Sequence, residues 1–197
     1  LRIHIKPNIA GDEVVGAQVI IDDVSEKKLL EEELRHLSIT DNLTNAYNRR
    51  YFLQNLEKEI ERSNRTGSQF SVIMMDIDYF KSINDCFGHN TGDLILKRIT
   101  MEMMKSVRKI DTLARWGGEE FVFLLPETGL DKAVFLAEKL RHLLIRIKFM
   151  EIGNVTASFG VVTYHTCDTA DKIIQDADNM MYKAKEEGRN CVRFVRE

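Results

Sequence analysis

RWGGEEF, residues 115–121, lies between two apolar runs, DTLARW (111–116) and FVFLLP (121–126). Two such runs joined by Gly117-Gly118 read as a tight β-hairpin, because a two-residue connection of this kind favours positive φ at both central positions. Glu119 and Glu120 then fall where the turn becomes strand, and a carboxylate there costs burial energy without gaining packing. The glycines also remove side-chain bulk, so another molecule has room to lie against the backbone. A bare hairpin and a ligand-holding hairpin both fit this stretch taken alone.

A second acid-bearing run sharpens the choice. FSVIMMDIDYF (70–80) reads as a buried strand that ends in acid. Asp76 and Asp78 are two apart, so in a strand they point to one face and Ile77 to the other. Acids at the end of an apolar strand deliver hard oxygen ligands, which Mg²⁺ prefers alongside waters and substrate phosphates. The alternative is that they cap the following segment. If this strand neighbours the hairpin, Asp76 and Glu119 can hold one or two divalent ions, and Gly117 and Gly118 let a triphosphate approach. Lys81, five residues after Asp76, is then placed to neutralise developing phosphate charge.

Around these runs, strands and helices alternate. LRIHIK, a turn over PNIAGDE, and VVGAQVIID form a β-hairpin of about two dozen residues, too small to be stable alone. Asp23 with Glu26 makes a capping-box pattern ahead of KKLLEEELRHLS. Leu30, Leu34 and Leu37 share one stripe of that helix, which suits a short coiled-coil seam or an amphipathic helix packed on its own domain. The first reading is preferred. A further helix is expected from Arg49 towards Arg62, KSINDCFGHNTGD reads as polar and turn-rich, and helical periodicity returns at LILKRITMEMMKSVR. Helices from Ala133 and Ala170 flank the strand-like NVTASFGVVTYH, with Gly188 at a C-terminal αL cap. The pattern predicts an α/β or α+β domain: a mixed sheet with an antiparallel hairpin, covered by helices.

Bulk properties narrow the function. A net charge of −3 over 197 residues argues against a general nucleic-acid binder. Cys86, Cys167 and Cys191 are an odd number at wide spacing, as expected of a reducing cytoplasm. The five histidines form no zinc pattern. No run approaches the roughly 18 apolar residues of a membrane span. A chain that starts at Leu1 reads as a fragment, with room upstream for targeting or membrane attachment.

DIDYFKSINDCFGHNTGD, RKIDTLARWGGEEF and YKAKEEGRN together resemble the GGDEF family of diguanylate cyclases, over roughly residues 39–195. The resemblance implies a sheet wrapped by helices, like nucleotidyl cyclases and polymerase palms. It implies two GTP molecules, one on each subunit of a homodimer, condensing to cyclic di-GMP and pyrophosphate. It further implies two Mg²⁺ (or Mn²⁺) ions per active site, held by Asp76, the Ile77 carbonyl and Glu119. Glu119 also matches the proposed base, and Lys81 a transition-state stabiliser. Asn84 and Asp93 match the guanine-reading pair, and a carboxylate suits guanine N1 and N2, which adenine cannot mimic. His89 matches a substrate contact. Lys185 and Arg189 match phosphate contacts, although cations also suit a helix C-terminus by themselves. Arg108 and Asp111 match an inhibitory RxxD site for product. The lead-in LTNAYNRR departs from the usual LTGLPNRR.

Residues 1–24 resemble the last strands of a PAS sensor domain, 25–40 its signalling helix, and 41–197 the catalytic domain. The competing reading is a silent receptor for GTP or cyclic di-GMP. A third is a cyclase of mixed dinucleotides.

Overall fold

The computed structural model describes residues 2–10, 13–22, 37–150 and 152–195. The chain divides into two compact units, Leu1–Ser38 and Ile39–Glu197. In the first, β1 (Arg2–Ala10) and β2 (Glu13–Asp22) pair antiparallel from Arg2↔Asp22 inwards, with a register shift at Asn8/Ile9. Strand β1 thus runs on through Pro7, where the sequence suggested a turn; a two-stranded sheet has only edges, and an edge tolerates the missing N–H. The expected helix over 25–40, with Leu30 and Leu34, falls mostly outside the described residues. Leu37 is exposed.

The second unit is built on a six-stranded sheet of order β10-β9-β4-β6-β5-β3. Its strands are β3 (Tyr47–Asn48), β4 (Phe70–Ile77), β5 (Thr112–Gly117), β6 (Glu120–Pro126), β9 (Ala157–Thr163) and β10 (Val192–Phe194). A separate pair, β7 (Lys148–Phe149) and β8 (Gly153–Asn154), forms a small ribbon. The central ladders β9–β4, β4–β6 and β6–β5 are antiparallel, and the outer pairs β10–β9 and β3–β5 are parallel. The sheet is therefore mixed, as expected.

Two-residue alternation sorts the apolar side chains of β4 and β6 onto opposite faces. Ile73, Met75, Phe121 and Phe123 join one core with Ile95, Ile99, Ala137 and Leu140. Those partners come from α3 (His89–Met104) and α4 (Leu130–Arg146). Val72, Met74, Val122 and Leu124 join the other, with Phe52 and Leu56 of α1 (Arg49–Thr66) and Ile173, Ala177 and Met181 of α5 (Ala170–Glu186). Helix α5 lies very close to the sheet at Gly160, where a Cβ would stand 2.1 Å from the Ala177 carbonyl oxygen. Only glycine allows that approach.

Two local expectations are corrected. The stretch read as polar and turn-rich folds as α2 (Phe80–Phe87) and the start of α3, separated by Gly88 at φ 83°. Phe80 is the one buried residue of α2, and Ile83 packs partly buried against the same core; with Phe87 they stand at i, i+3 and i+7, a helical spacing that the polar residues between them obscured. The hairpin turn is also shifted by one residue. Gly117 pairs with Glu120 after a register shift beside Trp116. The turn is therefore Gly118-Glu119, and only Gly118 (φ 52°) takes positive φ. A glycine at the first central position is the type II′ preference.

Candidate active site

Strand β4 and the β5–β6 hairpin meet in register at their acidic ends. Asp76 pairs with Glu120 across the ladder, and the Ile77 N–H donates to the Glu119 carbonyl at 3.4 Å. Asp76 is 6% exposed, and Lys185 Nζ, from the last turn of α5, meets its Oδ2 at 2.8 Å. Burial above all pushes the Asp76 carboxyl upward; Lys185 pulls against this, and the charges of Glu119 and Asp78 add to the rise. Glu120 is pushed up in the same way, first by burial and then by Asp76 opposite it. Acids crowded at one end of a sheet in this way draw in positive charge.

The donor set fits a hard divalent cation. Among the described residues no three His, Cys, Asp or Glu side chains converge as a ready cage. An ion held by Asp76, Glu119 and the Ile77 carbonyl would complete its shell from water and phosphate oxygens, which is the habit of Mg²⁺. A Cβ on Gly117 or Gly118 would meet nothing within 4 Å, so the space over the turn is open.

Asp78 is used differently from Asp76, because β4 ends at Ile77 and strand alternation stops there. Its carboxylate accepts from Thr156 Oγ1 and Ser158 Oγ, both at 2.7 Å, and from the Asn190 N–H at 3.0 Å. That last bond ties down a bend in which Gly188, Arg189 and Asn190 all have positive φ. The Arg189 guanidinium then lies over the Tyr79 ring, 4.6 Å from its centroid, and its Nη1 reaches Tyr79 Oη at 3.5 Å. Lys185 and Arg189 thus arrive together beside the acids from the end of α5.

Helices α2 and α3 carry the remaining expected residues. Lys81 is exposed in the first turn of α2. Asn84 Oδ1 is buried with no hydrogen-bond partner among the described residues. A Cβ on Gly92 would sit 2.0 Å from that oxygen, so the glycine makes room for it. His89 and Asp93 are exposed four residues apart on α3 and share one helix face.

Arg108 keeps its side chain 53% exposed, while its partner Asp111 is buried. The Asp111 side chain is 2% exposed and accepts from the Arg108 N–H at 2.8 Å and from Arg108 Nη2 at 2.7 Å. The same Nη2 donates to Thr128 Oγ1 at 2.8 Å and to the Pro126 carbonyl at 3.1 Å. A ligand would have to open this closed pair to reach Asp111.

Sequence reasoning missed the contact between the lead-in turn and the hairpin. Asp41 accepts from the Thr44 N–H (2.9 Å) and Oγ1 (2.6 Å), and from Arg115 Nη1 (3.1 Å). An Asp with a Thr three residues on is itself a turn signal. Asn45 stands where related sequences place glycine and adopts φ 60°, a conformation asparagine tolerates. Asn48, retained from the pattern, caps α1 by accepting from the Tyr51 N–H at 3.0 Å.

Comparison with known proteins agrees with this geometry. The chain is 35% identical over 192 residues to the diguanylate cyclase DgcM of Escherichia coli, covering 96% of this chain and 47% of DgcM. It therefore spans about half the length of that curated relative. It superposes with TM-score 0.79 and 36% identity on the diguanylate cyclase SiaD of Pseudomonas aeruginosa, solved with its activator SiaC, over 86% of this chain and 66% of that one. The coiled coil and GGDEF domain of DgcB from Caulobacter crescentus, solved with c-di-GMP, gives TM-score 0.82 and 25% identity over 87% of this chain and 93% of that one. Residues 38–191 match the family profile "Diguanylate cyclase, GGDEF domain", and the chain belongs to the GGDEF family.

Proposed function

We propose that the chain is the catalytic part of a diguanylate cyclase, joining two GTP into cyclic di-GMP with release of two pyrophosphates. The observation that carries this reading is the register of Asp76 with the Gly117–Glu120 turn, beside open space and Lys185. A divalent cation on Asp76, Glu119 and the Ile77 carbonyl would polarise the α-phosphate and lower the pKa of a 3′-hydroxyl. The chain's own side chains do the rest. Lys185, Arg189 and Lys81 neutralise phosphate charge. Asp93 accepts from guanine N1–H and N2–H, and Asn84, whose Oδ1 is buried, joins it at the base edge by turning its amide outward. His89 lines the same end. Glu119 stands beside the attacking hydroxyl, where a carboxylate can take its proton.

Each copy holds one GTP, so a homodimer is required for the 3′-oxygen of one to reach the α-phosphorus of the other. Product returns to Arg108 and Asp111 as an inhibitor once their pair has opened. The β1–β2 hairpin is read as the end of a PAS-like sensor (1–24), joined by a signalling helix (25–40) to the catalytic domain (41–197), in the cytoplasm.

Incubation with GTP and Mg²⁺, followed by chromatography of nucleotides, tests the reading. Cyclic di-GMP is expected, and Glu119→Gln should lower its formation at least about 100-fold, the scale of losing one electrostatic contact in the transition state. No product at high protein concentration, or full activity in Glu119→Gln, would refute it.

A further inference from the structure

A groove of about 1280 Å³ lies between α3, α4 and the β7–β8 ribbon, lined by none of the residues assigned above to catalysis, guanine recognition or product binding. Its walls are apolar: Leu94, Leu143, Ile147, Phe149 and Ile152 line it. Leu94 is 64% exposed, and Met150 on the ribbon is fully exposed. Exposed apolar surface of this kind on a single chain marks a place where something binds.

The rim names the charge of that something. Arg98, Lys139, Arg146 and Lys148 line the groove, with His142 among them. Among the described residues Glu102 is the one acid in the lining, and it is paired with Arg98 at 3.5 Å and Lys105 at 3.1 Å, so the rim's cationic character rests on Lys139, Arg146 and Lys148. This cationic concentration stands on a chain whose net charge is −3, so it is a local feature and not the average of the surface. Apolar walls between cationic edges, in a concave trough, complement a helix with an apolar stripe and acidic flanks. A helix laid in such a trough anchors through side chains at i, i+3, i+4 and i+7. A flat lipid surface matches the charge but not the concavity.

We infer that the α3–α4–ribbon groove is a docking site for an acidic amphipathic helix of a partner protein. The inference is independent of the cyclase reading, since it uses neither GTP nor the acidic site.

The test uses the whole 197-residue chain and a fluorescein-labelled peptide of about 16 residues, roughly four helical turns. The peptide carries leucines at one stripe and glutamates elsewhere; a second peptide replaces each glutamate with lysine. Anisotropy should report saturable binding of the acidic peptide, weakened by added salt, and no binding of the lysine peptide. Met150→Glu, and the double variant Arg146→Glu with Lys148→Glu, should each weaken it about tenfold or more, one decade being 1.4 kcal/mol. These positions lie on the groove's outer parts, so Tm should be unchanged; a variant that lost Tm would be replaced by Met150→Lys, which should bind the acidic peptide at least as well as the parent. Absence of binding, equal binding of both peptides, or binding indifferent to the groove variants would overturn the inference. Co-sedimentation with phosphatidylglycerol vesicles that the same variants abolish, without peptide binding, would overturn it in favour of a lipid surface.

Discussion

Arg115 and Asp41 join the start of the second unit to the turn that carries the acids. Arg115 Nη1 meets both Asp41 oxygens, at 3.1 and 3.3 Å, while its Nε donates to the Gly118 carbonyl at 2.8 Å. One guanidinium therefore holds the lead-in turn with one arm and the GGEEF turn with another.

Asp41→Asn should destabilise the domain at neutral pH by about 1–3 kcal/mol, the scale of a charged hydrogen bond. Burial pushes this carboxyl up, but the Thr44 hydrogen bonds and Arg115 outweigh it and hold it below the usual range. The folded pKa is depressed, so the carboxylate's contribution is complete above the unfolded value of about 3.9 and is lost as pH falls through the folded pKa. The gap in Tm between parent and variant should close on acidification. A gap that persists below that window would refute the assignment.

Glu120→Gln carries the opposite sign. Burial and the Asp76 charge directly across the ladder raise this carboxyl, so the folded state prefers it protonated. Parent and variant should match below the unfolded pKa, and the variant should become the more stable as pH rises through the folded one. The expected gain at neutral pH is about 0.2–1 kcal/mol, that of relieving like charges facing each other across strands. Thermal melts of metal-free protein at several pH values would show it.

Gly160→Ala should be costly although the change is one methyl. The added Cβ meets main-chain atoms of α5, the Ala177 carbonyl at 2.1 Å and the Met181 nitrogen at 2.3 Å, which cannot turn aside as a side chain would. A loss of about 1–3 kcal/mol, typical of overpacking, is expected in chemical denaturation. Because α5 also delivers Lys185, the weaker phosphate grip should appear as a raised KM for GTP.

Asp78→Asn should weaken turnover without touching the nucleotide. The amide keeps one acceptor oxygen for Thr156, Ser158 and the Asn190 N–H, which now share two. Loosening the 188–190 bend frees Arg189 from Tyr79, so KM should rise more than kcat falls. A variant with unchanged KM would show that the bend holds its shape without Asp78.

Arg108→Ala should remove product inhibition at a cost in stability. Added cyclic di-GMP should slow the parent and leave the variant unaffected if product binds there. Stability should fall too, by about 1–3 kcal/mol, because Asp111 remains buried with its guanidinium partner gone. Equal inhibition of both proteins would move the product site elsewhere.

The acid-ended strand and the glycine hairpin were legible because their signals are local. Their adjacency stood only as a condition on the reading, and the β4–β6 ladder meets it. Helix α2 was not read from the sequence, although Phe80, Ile83 and Phe87 carry helical spacing, because polar residues and Gly88 dominate the stretch. The turn was misplaced by one residue because the bulge beside Trp116 leaves no mark in composition. Nothing in the RxxD spacing marks Asp111 as buried, and only the fold brings Pro126 and Thr128 within reach of Arg108. The Asp41–Arg115 bridge spans 74 residues, beyond the reach of any spacing rule. Gly160 was the one long-range signal within reach: a glycine inside an apolar strand foretells close approach.

The outermost strands of the six-stranded sheet are stubs, β3 with two residues and β10 with three. They offer a newcomer too little unpaired main chain to prolong the ladder. Through this sheet, two copies would find no continuous ribbon along which to fuse. The proposed homodimer, which has to form and part with each turnover, is served by borders that resist permanent attachment.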